Sequence, residues 1–350
     1  LKLSRQVTEY QAQVFEDAQG RRFVAPFPAE VKKAVQYGKA LKAHAVYLSQ
    51  HQLIPYARLK EYFADQVQLP ISEGSLYRFT QQAYRQLEAF ETLSQQQLSQ
   101  APVNHADETG INIDGKRHWL HCASNSQWTH YFPHAKRGKE AMDEANILPS
   151  FKGILCHDHW KPYYRYDCLH ALCNAHHLRE LTRVEEQDKQ VWATQLKQWL
   201  LETLNKVKAA GGALSKETAD DYREAYRALL QQAEIDCPPP QPPPGKPKRG
   251  RLKRSTARNL LERLINYQDD VLRFMGEPLV PFTNNAGERD IRMTKVHQKI
   301  SGCFRSMLGA QMFCRIRGYL STCRKQLISA SQALADLFQG KLPTLSLQAA

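Results

Sequence analysis

Three acids in three separate segments have the most chemistry to offer. Asp107 stands in His105-Ala106-Asp107-Glu108-Thr109-Gly110, Asp158 in Cys156-His157-Asp158-His159-Trp160, and Glu288 in Asn284-Asn285-Ala286-Gly287-Glu288-Arg289-Asp290-Ile291-Arg292. Three carboxylates gathered at one place repel one another, and divalent cations with hard oxygen ligands offset that repulsion. Such a set points to Mg²⁺, with Mn²⁺ as a workable substitute. Two such ions about 3.5–4 Å apart can activate a water or a 3′-hydroxyl on one side of a phosphodiester and stabilise the leaving oxygen on the other. Taken singly, each acid has an ordinary structural explanation: Asp107 a turn residue, Asp158 a helix cap, Glu288 a first-turn acid at a helix N-terminus. The metal reading rests on the set.

Other acids compete less well. Asp114 sits in an Asp-Gly turn and Asp143 within a helical pattern, away from strand ends, and Asp167 is a further rival. Glu108 is expected on the opposite strand face from Asp107, because side chains alternate. The stretch Cys168-Leu169-His170-Ala171-Leu172-Cys173-Asn174-Ala175-His176-His177 has the ligand types and close spacing of a zinc site. A buried structural role for Cys173, or an orienting role for His176 beside the acids, is favoured over zinc.

These residues need elements to hold them. Residues 103 to 134 read as three strands, Val103 to Ile113, Arg117 to Ala123 and Gln127 to Phe132, turning at Asp114-Gly115 and Ser124-Asn125-Ser126. A helix from about Lys139 to Leu148 and a short buried strand at Gly153 to His157 follow. The fold class is therefore α/β, with a mixed sheet in the order β-β-β-α-β and then helices. Adjacent first and fourth strands would bring Asp107 and Asp158 to one sheet edge, and a helix starting near Glu288 could cross it.

The rest of the chain is mostly helical. Residues 1–30 read as an irregular lead-in. Residues 31–100 form a helical region, with helices from Val31 to Leu48, after Pro55, and from about Ser72 to Phe90, then a polar stretch from Ser94 to Gln100. The joint Gln68-Leu69-Pro70-Ile71-Ser72 has a Pro to stop one helix and a Ser to cap the next, which is helix-turn-helix grammar. The helix after it offers Tyr77, Arg78, Gln81, Gln82 and Arg85 for phosphate and base-edge contacts, although a plain helical bundle reads the same way. Residues 101–167 carry the first part of the sheet domain. Residues 168–280 form a helical insertion, patterned from Ala171 to Leu230 and from about Ser255 to Phe274, with a stiff Pro-rich basic linker at 237–254. Residues 281–338 close the domain, helical from Gly287 to Phe338 with interruptions around Gly302 and Gly309, and 339–350 form a tail.

Composition narrows the partners. Net charge is +13, which suits a polyanion without separating DNA, RNA and an anionic membrane. Eight Lys or Arg between Lys246 and Arg263 face one acid, and nine between Glu288 and Lys325 face Glu288 and Asp290. The second cluster surrounds the third acid. The eight Cys lack the spacing of a small secreted scaffold. No apolar run approaches the roughly 18 residues of a membrane span, so no membrane is expected as partner and a cytoplasmic location is. The start at Leu1 rather than Met suggests a missing upstream segment.

The segments Ala106–Gly110, His157–Tyr164 and Asn284–Arg292, followed by Lys299-Ile300-Ser301-Gly302-Cys303-Phe304-Arg305-Ser306 and Gly309-Ala310, resemble the transposases of the insertion sequence 66 family. The resemblance extends from about Tyr37 to Leu337 and takes in Tyr37–Leu41 and Ile71–Leu76. It implies a DDE-superfamily enzyme with a ribonuclease-H-like catalytic domain, Asp107, Asp158 and Glu288 as catalytic metal ligands, and double-stranded DNA as partner, both element ends and target. It also implies DNA contacts from basic residues on the Glu288 helix, with Arg292 and Lys295 placed first and Lys299 and Arg305 beyond; Arg78 and Arg85 are the candidates from the helix-turn-helix segment. Cys173 and His176 resemble a Cys-x-x-His element opening the insertion. Synapsis of two ends implies a homodimer or larger assembly on the bacterial nucleoid, with possible helper proteins of the same element. Longer members carry a cysteine-bearing zinc element ahead of the helix-turn-helix region, and residues 1–30 contain no Cys. Two rivals are a structure-selective nuclease, which the helix-turn-helix segment and insertion disfavour, and a catalytically silent DNA-binding repressor, which the three intact acids disfavour.

Overall fold

The computed structural model describes residues 5–241 and 252–345, so most of the Pro-rich linker at 237–254 lies outside the described residues. Alternation from Val103 to Ile113 produces the central strand. Val103, Ile111 and Ile113 enter different hydrophobic clusters from Ala106, as side chains on opposite faces must. After an exposed hairpin of β1 (Val14–Glu16) and β2 (Arg22–Val24), this strand is β3 (Val103–Ile113). Asp114 and Gly115 follow it with φ of 50° and 70°, the left-handed pair that a tight hairpin turn requires. β4 (Lys116–Ser124) and β5 (Thr129–His134) complete an antiparallel meander, and β6 (Ile154–His157) and β7 (Leu169–Leu172) add parallel strands. The five-stranded order is β5-β4-β3-β6-β7. The chain is thus α/β with a mixed sheet.

Helices α1 (Lys39–Val46), α2 (Tyr56–Val67), α3 (Glu73–Gln86) and α4 (Glu88–Ser99) share one core with α12 (Met307–Lys325) and α13 (Ala330–Gln339). Ala106, Trp128 and Tyr163 join it from the sheet side. Ser72 caps α3 by accepting from the Ser75 amide at 3.2 Å, while Gln68 ends α2 in the left-handed region at φ 53°. Helix α5 (Lys139–Glu144) lies between β5 and β6. The insertion comprises α6 (Asn174–Asp188), α7 (Val191–Ala209), α8 (Lys216–Asp236), α9 (Thr256–Asn266) and α10 (Gln268–Leu272), whose apolar faces pack with Val103, Ile154, Cys156, Ala171 and Leu172. The chain returns through α11 (Asn285–Ser301). Among the described residues no helix is long and apolar enough to cross a membrane.

Five expectations need correcting. The insertion does not begin as helix: Leu169–Leu172 is an edge strand, stabilised by pairing with β6 rather than by its own periodicity. The lead-in is not wholly irregular, since Val14–Glu16 pairs with Arg22–Val24. Helix starts at Lys39, not Val31, and the span from Ser72 breaks at Leu87 into α3 and α4, the latter taking in the polar Ser94–Ser99. Gly309 does not interrupt a helix; it lies in the first turn of α12 and donates its amide to the capping Ser306 Oγ at 3.1 Å.

Candidate active site

The β3–β6 register sets two of the acids side by side. His105 pairs with Cys156, and carrying that parallel register two residues onward aligns Asp107 with Asp158. β6 ends at His157, where the chain turns away: His159 is left-handed at φ 73°, and the exposed Asp158 accepts from the Trp160 amide at 3.1 Å.

Glu288 reaches the same place because the start of α11 is tied to β3. Asn284 donates its side-chain amide to the Ala106 carbonyl at 2.9 Å, and its Oδ1 lies 2.7 Å from His105 Nδ1. The Asn284 backbone amide points at Cys173 Sγ, 3.0 Å away. Gly287 permits this close approach: a Cβ there would sit 3.3 Å from His105 Cβ and 3.2 Å from Asn284 Oδ1. One turn into the helix, Glu288 then joins Asp107 and Asp158 in lining a cleft of about 350 Å³.

Burial and neighbouring acids dominate the electrostatics of that cleft. Burial, followed by the charges of Glu108, Asp158 and Glu288, pushes the Asp107 carboxyl up to about 7, against a lowering by the Glu108 amide that donates to Asp107 Oδ1 at 2.8 Å. A carboxyl that holds its proton near neutrality amid other carboxylates is one that a divalent ion would ionise, and an all-oxygen acid set suits Mg²⁺ or Mn²⁺.

The Glu108 side chain is tied up by other partners. It is 2% exposed and accepts from Tyr163 Oη at 2.6 Å and from Arg137 Nη2 at 2.5 Å and Nε at 3.0 Å. The Arg137 guanidinium lies over both Trp119 and Trp160. Glu108 also borders the cleft, but its side chain is held in this clamp while that of Asp107 carries no such partner. Of the remaining rivals, Asp143 is bonded by Lys139 and Tyr166, and Asp167 by Lys152.

Cys173 and His176 converge on Glu288. The Cys173 thiol lies 3.9 Å from Glu288 Oε1 and His176 Nδ1 3.7 Å from it. Their ligand atoms and a Glu288 oxygen lie within 4.8 Å of one another, a spacing at which a metal could be held. The Arg179 guanidinium, 3.7 Å from the same oxygen, already supplies positive charge there, which argues for an orienting shell over a third metal.

The basic residues divide. Arg292 and Lys295 line the acidic cleft, and Lys295 donates to the Gly110 carbonyl at 2.9 Å. Lys299 is exposed farther along α11, and Arg305 lines a different cavity. Arg78 and Arg85 are exposed on α3 and line neither. In the other basic cluster Arg254, Arg258 and Arg263 are occupied by Glu262, Glu234 and Glu180. Sequence reasoning missed Asn284 and Arg179 as neighbours of the acids. Asn284 stood within the quoted motif, whereas nothing local marked Arg179.

The family model described as Transposase IS66 family matches residues 34–312. No curated protein matches the chain.

Proposed function

The chain belongs to the IS66 transposase family, and from that premise we propose that it cuts the phosphodiester at each end of its insertion element and joins the exposed 3′-hydroxyl to target DNA. The observation that carries this reading is the single cleft lined by Asp107, Asp158 and Glu288. We read the sheet order β5-β4-β3-β6-β7 as ribonuclease-H-like, and α2–α3 as a helix-turn-helix element with Arg78 and Arg85 on its exposed side.

Asp107, Asp158 and Glu288 would hold Mg²⁺, or Mn²⁺ in its place. When bound, the ions supply Lewis-acid activation of the attacking oxygen and stabilise the leaving one. Asp107 would be ionised when the ions are held. Asn284 fixes the approach of Glu288 to β3, and Cys173, His176 and Arg179 orient its carboxylate. Arg292 and Lys295 neutralise phosphates beside the scissile bond, with Lys299 and Arg305 farther along, so affinity falls steeply with salt. Two ends held together call for a homodimer or larger assembly, with helper proteins of the element as further partners, in the cytoplasm on the nucleoid.

The test is a joining assay with pre-cleaved element ends, Mg²⁺ and a target plasmid. The wild type joins ends; Asp107→Asn, Asp158→Asn and Glu288→Gln bind DNA but do not. Cleavage without joining by the wild type would instead identify a nuclease.

A further inference from the structure

Two cations reach the same backbone group beside the acidic cleft. Between its last pair with β6 at His105 and its bridge to Phe304 at Ile113, one edge of β3 has no strand partner among the described residues. Gly110 lies on that open edge. Its carbonyl accepts from Lys295 Nζ at 2.9 Å, and Lys295 lines the cleft. The Arg117 guanidinium lies against the same residue, where a Cβ on Gly110 would run into its Nε, Nη2 and Cζ. Arg117 pairs with Asn112 and Trp119 with Gly110, so the arginine leans diagonally across the hairpin over the position that has no side chain to obstruct it. Its Cζ also stands 4.9 Å from the centroid of the Trp119 ring.

The two cations come from opposite faces of the sheet. Ile111, Ile113, Leu120 and Cys122 pack with Ile291 of α11, the helix that carries Lys295, and alternation puts Gly110, Arg117 and Trp119 on the other face. Neither cation has an acidic partner among the described residues. Arg137, 4.8 Å over the same Trp119 ring, differs in being neutralised by Glu108. Burial, and after it the charge of Arg117, lowers the pKa of Lys295, as like charges near one another do. An anion beside both would relieve that repulsion. The position indicates which anion: Lys295 stands about 10 Å along α11 from Glu288 at 1.5 Å per residue, which is about three nucleotides along one strand.

We propose that the DNA backbone leaving the acidic cleft crosses the open edge of β3 at Gly110, where Arg117 on one side and Lys295 on the other neutralise its phosphates. The inference rests on reading that cleft as DNA-cutting, and it adds to α11 a second line of contact, on the β3–β4 hairpin. Stacking on Trp119 holds the Arg117 guanidinium flat and leaves its N–H donors for phosphate oxygens. Gly110 serves the contact through the side chain it lacks.

Fluorescence polarisation with two duplexes of unrelated sequence, each titrated at salt from about 50 to about 200 mM, tests it. For the wild type, log affinity falls linearly with log salt. Arg117→Ala makes that slope shallower by about one on both duplexes alike, the mark of a lost phosphate contact. Gly110→Ala keeps every charge but places a Cβ where the guanidinium lies, and it makes the slope shallower too. Lys208→Ala, which removes an exposed cation from α7, leaves the slope at the wild-type value. A wild-type slope in Arg117→Ala or in Gly110→Ala overturns the proposal and leaves the DNA-cutting reading intact, and so does a loss confined to one duplex, which would be base readout. Melting with inorganic phosphate is the free-anion arm: stabilisation that Arg117→Ala abolishes while its DNA slope stays unchanged overturns the proposal in favour of a free-phosphate site. Failure of the wild type to bind either duplex overturns both readings.

Discussion

His105 Nδ1 and Asn284 Oδ1 lie 2.7 Å apart in the interior, joining the strand that carries Asp107 to the residue that leads into the Glu288 helix. The two side chains are separated by 179 positions in the chain. With the Asn284–Ala106 bond, this contact sets where Glu288 stands relative to the two Asp residues.

Asn284→Ala removes the side-chain partner of the Ala106 carbonyl and of the His105 ring. Each buried group left unmade costs about 1–3 kcal/mol, and supporting residues of a metal site typically contribute about 10–100-fold. We expect cleavage to fall within that range, with a higher Mg²⁺ concentration needed for half-maximal rate. Metal titrations of cleavage at constant DNA occupancy measure this; an unchanged Mg²⁺ requirement would remove Asn284 from the account.

Asp107 makes folding sensitive to pH in a direction opposite to most acids. Its folded pKa of about 7 lies above the ordinary carboxylate value, so between those values the native state binds more protons than the unfolded chain. Its contribution to stability therefore declines as pH rises from about 4 to about 7. Without divalent metal, Asp107→Asn should melt higher than the wild type at pH 8, by about 2–4 °C, with the gap closing toward pH 5. Added Mg²⁺ should raise the wild-type midpoint and leave the variant's in place. Calorimetry across this pH range decides, and a variant melting lower at pH 8 would contradict the electrostatics described.

Glu108 should behave as a structural acid. Arg137→Ala strands a carboxylate whose side chain is 2% exposed, a loss of about 3 kcal/mol, and Tyr163→Phe costs about 1 kcal/mol. Denaturant unfolding would register both losses. Cleavage by folded Tyr163→Phe should keep the wild-type metal dependence; a changed one would place Glu108 among the ligands.

Cys173 and His176 are expected to position Glu288 rather than to bind a metal of their own. Cys173→Ala should slow cleavage about tenfold and raise the Mg²⁺ requirement, with Cys173→Ser retaining most of the rate. Elemental analysis of the purified protein should find no stoichiometric zinc. One zinc per chain, lost in Cys173→Ala, would reverse the assignment.

Legibility in the sequence followed the range of the interactions. β3 and its turn were readable because alternation and an Asp-Gly pair are local signals. β7 was not: Leu169–Leu172 is four residues long and borders α6, and only pairing with β6 makes it a strand. α4 was obscured by its run of glutamines, whose helical state depends on burying Phe90 and Leu98. The meeting of Cys173, His176 and Arg179 with Glu288 spans more than a hundred positions and depends on how the insertion folds back, which no window of sequence contains.

The most direct test of direct metal ligation by the three acids is metal-specificity rescue. Asp107→Cys, Asp158→Cys and Glu288→Cys should each be inactive in end cleavage with Mg²⁺, and each should regain measurable activity with Mn²⁺, which accepts sulfur more readily. A Cys variant that keeps wild-type activity with Mg²⁺ would contradict ligation by that residue. Failure of Mn²⁺ to restore any of the three, with DNA binding intact, would contradict the metal-centred account of the cleft.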